Sequence, residues 1–419
     1  MELSKEQKLG EKYFLEGNNL FITGKAGSGK STLVNHLIEK SKHNVAILAP
    51  TGISATNVSG STFHRFFRFP LGILHAHTEI KRILDDDVIC EKIMCAGVLI
   101  IDEISMVRAD IFETVSKILK EVMGNNDPFG GKQIICVGDF DQLPPVVSPR
   151  EETSFKKFYE SSYSFSTEAW KESNFKTLIL PTSFRQSNDD LFLSQLNLIK
   201  KGNPYAIEIF NNKCYKPKQE DAITLTTTNK IALDINLKGL NRLKTPTKTF
   251  KASVIGDISQ KDYPTEEILS LKVGARVLMI ANDNVNFDYC NGDLGTIIKI
   301  NPNKSVIVEL DNGNEASVIP ITWEIFDYNV DNGNLKKTPI GEFIQLPLKL
   351  GYAITIHKSQ GQTLEKINLE VGKYGCFCPG QLYVGLSRAR TLNSITLPTK
   401  LKHSDVIISS EVKEFYKTL

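Results

Sequence analysis

"LFITGKAGSGKSTLVNHLIEK", residues 20–40, decides the fold of this chain. A short apolar run leads into a glycine loop that fits G-x-x-x-x-G-K-[ST], and a helix pattern follows directly. That strand–loop–helix context distinguishes a phosphate-binding P-loop from an ordinary glycine-rich turn. Gly24, Gly27 and Gly29 let backbone N–H groups face phosphates, and the start of the helix adds positive potential. Lys30 is expected to reach the β- and γ-phosphates of ATP, and the Ser31 hydroxyl to ligate Mg²⁺. Ala26, Ser28 and Thr32 complete the candidate nucleotide cradle.

The segments around this loop repeat the alternation of strand and helix. "VAILAP", "VLIIDE" and "QIICVGD" read as buried strands, with a helix near residues 109–123 between the last two. Such βα units imply a parallel sheet covered on both faces, with ligands at the strand C-terminal ends. An aromatic insertion, "FHRFFRFPLG", interrupts the pattern. A second α/β set begins at "TLILPTSFRQ", continues through "AITLTTTNKIALDINLKGL", and resumes at "YAITIHKSQGQT", "KINLEV", "QLYVGLSRAR" and "SITLP". Between its halves, "ARVLMIAND", "DLGTIIKI", "SVIVEL" and "EASVI" are short alternating strands separated by turn signals, which reads as a small inserted β-barrel. The expected division is a first α/β domain over 1–172 with an insertion at about 63–80. A second domain covers 173–250 and 340–419, and the β-barrel spans 251–339.

"VLIIDE" ends in two acids at the end of a strand expected beside the P-loop. Asp102 is placed to hold the Mg²⁺ water shell, and Glu103 to polarise the attacking water. The chemistry expected is hydrolysis of a nucleoside triphosphate. An N-K-x-D guanine reader is missing, since "TNK" at 228–230 lacks the acid and lies outside the first domain. A small kinase would not need a second α/β domain of similar size. Two such domains suggest a nucleotide in a cleft, with arginines supplied in cis to stabilise transition-state charge. Arg185 in "SFRQ" and Arg388 in "GLSRAR" are the candidates.

Composition sets the outer limits. At 419 residues, 41% apolar and 23% charged, the chain is that of a soluble globular protein with more than one core. Fifty basic against 48 acidic residues leaves a net +2, which is compatible with a local basic groove on a nearly neutral protein. Seven scattered cysteines suggest reduced thiols in a cytoplasmic protein, in the bacterial cytosol or nucleoid. "CFC" has no matching second pair and argues against zinc. No apolar run approaches ~18 residues, so no membrane span is expected.

The ordered series "LSKEQ", "GKAGSGKST", "APTGISATNVSGSTFHRFF", "IIDEISMV", "PFGGKQIICVGDFDQLPPV", "SFRQ", "GYAITIHKSQGQT" and "YVGLSRAR" resembles the superfamily 1 DNA helicases of the petite-integration-frequency (PIF) and RecD-like group. The resemblance runs from residue 3 to about 395. It implies two RecA-like domains in tandem, a wedge in the first, an SH3-like barrel in the second, and a bare helicase core without the long N-terminal extension many eukaryotic members carry. The implied activity is ATP-driven 5′-to-3′ translocation on single-stranded DNA with duplex unwinding. Forks, RNA–DNA hybrids and G-quadruplexes are the implied substrates, for a monomer meeting single-stranded DNA and its junctions.

Residue by residue, the resemblance makes Gln7 an adenine reader and places Gln142 near the γ-phosphate. Arg185 and Arg388 become the reaching arginines, Arg390 a structural ion-pair residue, and Gly361 and Gln362 line the cleft. The arm "DQLPPV", stiffened by Pro144 and Pro145, would run from that cleft toward the DNA.

A DNA track needs phosphate contacts and stacking surfaces. Thr51, Gly52 and Ser54 after "VAILAP" can offer hydroxyl and N–H groups to phosphates. The resemblance puts Phe63 and His64 near DNA, with the remaining phenylalanines packing the wedge. It matches Thr228, Asn229, His357 and Lys358 in the second domain. One departure is the asparagine-rich "ANDNVNFDYC", which is closer to RecD-type relatives. Two other readings remain open. One is a motor subunit of a recombination nuclease complex; the other is a nucleotide-switched DNA clamp, against which the intact Glu103, Gln142, Arg185 and Arg388 argue.

Overall fold

The computed structural model describes residues 3–25, 27–70, 72–181, 189–283, 286–302, 304–331, 334–373 and 375–419. The chain divides into two compact units. The first comprises Met1–Phe184, Ile325–Ile340 and Glu411–Leu419, and the second Arg185–Glu324 and Gly341–Ser410.

The first unit is built on a parallel sheet of six strands: β1 (Leu20–Gly24), β2 (Val45–Ala49), β3 (Ser61–Thr62), β4 (Val98–Ile101), β5 (Gln133–Val137) and β6 (Lys176–Leu180). Their order is β3-β2-β4-β5-β1-β6. Side chains alternate between the two faces of a strand. Leu20, Ile22, Val98, Ile100, Ile135 and Val137 therefore pack on one apolar cluster with Leu33 and Leu37. Phe21, Leu99, Ile101, Ile134 and Cys136 pack on the other, with Phe112 and Trp170. Both faces being covered explains why these strands read as unbroken apolar runs.

Helix α1 (Lys5–Leu15) precedes β1, α2 (Lys30–Lys40) leaves the glycine loop, and α3 (Gly52–Asn57) follows β2. The helix Ala109–Met123 lies between β4 and β5, where the sequence places it. In "PFGGK", Phe129 adopts φ 54 and is fully buried against Phe112. Lys132 Nζ donates to the Ala96 carbonyl at 2.7 Å. That motif is a folded corner that sets the start of β5.

The second unit holds a parallel sheet in which β7 (Ile223–Thr226) lies between Ala353–Thr355 and Ile367–Glu370, with Ile395–Thr396 beyond. It also holds an antiparallel five-stranded sheet made of Arg276–Met279, Leu294–Ile300, Val306–Leu310, Glu315–Val318 and Leu348–Leu350. The four hairpin strands read from the sequence are the first four of these.

The structure corrects the domain boundaries in three places. The strand at the start of "TLILPTSFRQ" does not open the second sheet: it is β6, paired with β1 from Leu20↔Lys176 to Gly24↔Leu180. Ile325–Ile340, which the sequence divides between the insert (to 339) and the second domain (from 340), belong to the first unit, and the antiparallel sheet instead gains a closing strand at Leu348–Leu350. The C-terminal helix Ser410–Lys417 also packs on the first unit: Phe415 stacks on Phe165 with ring centroids 4.4 Å apart. Strand pairing and aromatic packing join residues far apart in sequence, and local pattern carries no sign of them.

Candidate nucleotide and nucleic-acid sites

Helix α2 starts from Gly29, whose φ of 83° is the left-handed conformation that glycine adopts without steric cost. Among the described residues no side chain caps this helix, and its N-terminus points its positive end at the glycine loop. At Gly24 a Cβ would stand 2.5 Å from the Leu180 carbonyl oxygen and 2.8 Å from Ser28 Oγ, which excludes any larger residue. The Ser28 hydroxyl is buried without a hydrogen-bond partner among the described residues, and Lys30 Nζ donates to the carbonyls of Gly24 (2.8 Å) and Lys25 (3.0 Å). A helix N-terminus, a buried hydroxyl without a partner among the described residues and a cation fit a polyphosphate. Ser31 and Thr32 stand exposed on the first turn of α2. Ala26 lies outside the described residues.

Gln7 is buried in α1. Its Oε1 accepts the Ser4 N–H at 3.0 Å, closing a capping box, and its Nε2 stands 3.5 Å from the Gly29 carbonyl. The sequence reading gave it an adenine-reading role; the structure adds a helix cap and places it against the P-loop.

Sheet order brings the remaining nucleotide candidates together. β5 lies between β4 and β1, so the residues after these strands emerge side by side. Asp102 and Glu103 follow β4, and Gln142 follows β5 through Gly138, whose N–H donates to Ile22 O at 3.1 Å. Gln142 is buried, and its N–H donates to Asp139 O at 2.9 Å. Glu103 adopts φ 49, ψ 46, a left-handed conformation that costs a non-glycine residue about 1–2 kcal/mol. Such strain persists where the surroundings impose it, as they do in functional loops.

Burial, and then the neighbouring charge of Glu103, push the Asp102 carboxyl up to about 7, with Lys30 acting in the opposite sense. The folded protein thus holds this proton more tightly than the unfolded chain. The group's contribution to stability is full below pH ~4 and is lost as pH rises through 7. Asp102→Asn, neutral throughout, is expected to stabilise the protein free of nucleotide and divalent cation by about 2–4 kcal/mol at pH 8. The difference should narrow toward pH 4, and ATP hydrolysis should be lost. Thermal denaturation in EDTA across this range, beside an ATPase assay, checks both; a destabilised variant at pH 8 would contradict the charge argument.

The nucleic-acid candidates of the first unit share one edge of the same sheet. Ala49 pairs with Thr62, and Thr51 and His64 each follow by two residues. Thr51 caps α3 by accepting the Ser54 N–H, and the two hydroxyls lie 2.7 Å apart. Gly52 is the first residue of α3, and half-buried Pro144 lies in the loop beyond Gln142. Phe63 is a correction: it is 1% exposed and belongs to the core with Phe66, Phe67 and Phe69, so its ring offers no stacking face. His64 is half-buried, edge-on to Phe69.

The second unit repeats this register. Thr226 pairs with Thr355, and Thr228 and His357 each follow by two residues. Thr228, which caps the helix Asn229–Arg242, is exposed together with Asn229 and Lys358. Burial lowers the His357 pKa, which favours the uncharged ring, a stacking rather than an ionic surface. Phe377 lies parallel to it at 6.3 Å and is 60% exposed. In "CFC" the sequence pattern marks only the two sulfurs, and the exposure of the ring between them shows in the tertiary structure alone.

Arg388 departs most from expectation. It is 1% exposed. Its Nε donates to Val384 O (2.9 Å), its Nη1 to Ser359 O and Gln362 O (3.2 Å each), and its Nη2 to Ser387 Oγ (2.9 Å). It clamps the loop that carries exposed Gly361, whereas Arg390, read as the structural residue, is exposed. A guanidinium presents its donors in a rigid fork, which suits it to gather several carbonyls at once. Arg185 lies outside the described residues.

The family model for PIF1-like helicase matches residues 3–220. The ATP-dependent DNA helicase Pif1 of Campylobacter jejuni is 33% identical over 437 residues, covering 96% of this chain and 94% of that protein. A Bacteroides Pif1 in complex with ADP-AlF4 superposes with a TM-score of 0.91 at 34% identity, over 100% of this chain and 97% of that one. The Bacteroides Pif1 bound to ssDNA gives 0.69 at 32% identity, over the same shares of the two chains. With the family's pattern across more than half its length and such relatives along almost all of it, this chain belongs to the PIF1-like helicases.

Proposed function

We propose that this chain is an ATP-dependent DNA helicase that translocates 5′ to 3′ on single-stranded DNA and unwinds the duplex ahead of it. The observation that carries this reading is the layout of one sheet. The P-loop, Asp102, Glu103 and Gln142 follow β1, β4 and β5, while Thr51 and His64 follow β2 and β3 on the same C-terminal edge. Nucleotide state and DNA contacts are then separated by single strands within one rigid element.

In hydrolysis, Glu103 accepts a proton from the attacking water, and the P-loop N–H groups, Lys30 and Ser28 hold the phosphates. Mg²⁺, when bound, would be held by Ser31 and Asp102 and would supply positive charge to offset that of the phosphates. Gln142 orients the attacking side and passes the nucleotide state along the arm through Pro144. On the second unit, Thr228, Asn229, His357 and Lys358 form the matching DNA surface, joined by Phe377. The antiparallel sheet between residues 276 and 350 acts as an SH3-like guide for the strand, and the aromatic segment near 63–80 as the wedge. Forked duplexes are the favoured substrate of this reading; one similar solved structure concerns DNA unwinding at forked dsDNA by two coordinating Pif1 helicases.

Two measurements test it. Single-stranded DNA should raise ATP hydrolysis, and a 5′-tailed duplex should be unwound while a 3′-tailed one is not. Hydrolysis indifferent to DNA would sink the motor reading, and unwinding from the 3′ tail alone would reverse the polarity.

A further inference from the structure

The Tyr416 hydroxyl, on the C-terminal helix, stands at a junction of three groups in the first unit. It donates to Asp139 Oδ1 at 3.2 Å, accepts the Phe140 N–H at 3.2 Å, and lies 3.3 Å from Thr23 Oγ1. A phenol has one proton to give and lone pairs to receive two, so these contacts use its capacity in full. Thr23 is 3% exposed and Asp139 is 0% exposed, so water cannot readily replace the hydroxyl.

The partners are the two strand ends that bracket the phosphate site. Thr23 is the residue of β1 next to the start of the P-loop at Gly24. Asp139 opens the loop to Gln142: its Oδ1 also accepts the Asp141 N–H at 3.2 Å, and its carbonyl accepts the Gln142 N–H at 2.9 Å. A chain of hydrogen bonds therefore runs from Tyr416 through Asp139 to the backbone of Gln142. The helix is anchored by Phe415 stacked on Phe165, and edge-on at 5.4 Å to the ring of Phe140 in that loop. Packing holds the helix and the Phe140 ring, while the hydroxyl fixes the Phe140 N–H and the Asp139 carboxylate, the polar groups next to Gln142.

We infer that Tyr416 is a positioning residue for ATP hydrolysis: it ties the loop 138–142 to the end of β1, so that Gln142 is presented in register with the P-loop phosphates. The inference rests on the ATPase reading above. Removing the hydroxyl leaves the Phe140 N–H and a buried carboxylate oxygen each short of a partner, and the loop must relax to satisfy them. A displacement of about 1 Å in a catalytic arrangement can cost on the order of 10²-fold in rate. ATP binding, made mainly by the P-loop itself, should change little.

The test uses the full chain with two substitutions: Tyr416→Phe, and Phe175→Leu as a packing control in the same aromatic cluster, where Phe175 lies 4.5 Å from Trp170. Steady-state ATP hydrolysis is measured with saturating oligothymidylate, and folding by thermal denaturation. Tyr416→Phe should lower kcat about 5- to 30-fold, with KM for ATP within twofold. Phe175→Leu should lower the melting temperature at least as much, yet keep kcat within twofold. A Tyr416→Phe enzyme with unchanged kcat, one whose loss lies in KM alone, or an equal kcat loss in Phe175→Leu would overturn the inference. Failure of the unsubstituted chain to hydrolyse ATP would instead overturn the ATPase reading, and this inference with it.

Discussion

Glu103→Gln is expected to lower ATP turnover about 10²- to 10⁴-fold while leaving nucleotide affinity within a few-fold. The substitution keeps the shape of the side chain and removes only its ability to take a proton. Backbone geometry should survive, because glutamine meets the same steric conditions as glutamate at the φ of 49° found here. The exchange creates no cavity, and removing the charge that pushes the Asp102 carboxyl up should, above pH 7, raise stability slightly rather than lower it. Steady-state hydrolysis beside titration of a fluorescent ATP analogue separates the two quantities. A variant retaining more than a tenth of wild-type turnover would remove Glu103 from the role of base. The neighbouring Asp102→Asn should behave differently, since it also discards the charge that holds a divalent cation and relieves the buried carboxylate.

Arg388→Ala is expected to destabilise the second unit by about 2–4 kcal/mol, the order of magnitude for losing several hydrogen bonds from a buried charged donor and leaving their carbonyl acceptors short. The carbonyls of Val384, Ser359 and Gln362 would each lose a charge-assisted donor, and the space left is too deep for water to enter freely. Arg388→Lys should recover at most part of this loss, because a single ammonium cannot reach acceptors spread across the fork. Chemical denaturation followed by limited proteolysis of the second unit measures the effect. Were Arg388 a free arginine finger, Arg388→Ala would fold normally and lose only turnover; that outcome would overturn the clamp. The clamp also makes the loop around Gly361 depend on Arg388, so turnover should fall together with stability.

The nucleotide site was largely legible in the primary structure because it is a local device. A P-loop needs glycines at set spacings, a strand before and a helix after, and all of these lie within residues 20–40. Asp102 and Glu103 were legible for the same reason, as acids ending a run whose burial on both faces shows in its composition. "VGDFDQLPPV" falls between these cases. Its place between β4 and β1 follows from parallel order, yet Phe140 serves a different purpose from its neighbours, as a core ring 4.9 Å from Phe165.

Burial separates neighbouring residues that the sequence reads alike. Phe63 and His64 are adjacent in a mixed aromatic–basic stretch, and only packing against the first core removes one ring from reach. Arg388 and Arg390 stand two apart in "SRAR", and only the loop 359–362 captures the first of them. The assignment of β6 to the first sheet and of the C-terminal helix to the first unit were equally out of reach, since pattern within a segment does not name its partner. By itself, then, the sequence determined the P-loop chemistry, the parallel α/β architecture and the order of the motifs, because each is written in short-range spacing. The tertiary structure alone decided which arginine is a strut, which ring is core, and that Tyr416 reaches Asp139, because such contacts join residues more than 20 and up to 277 positions apart.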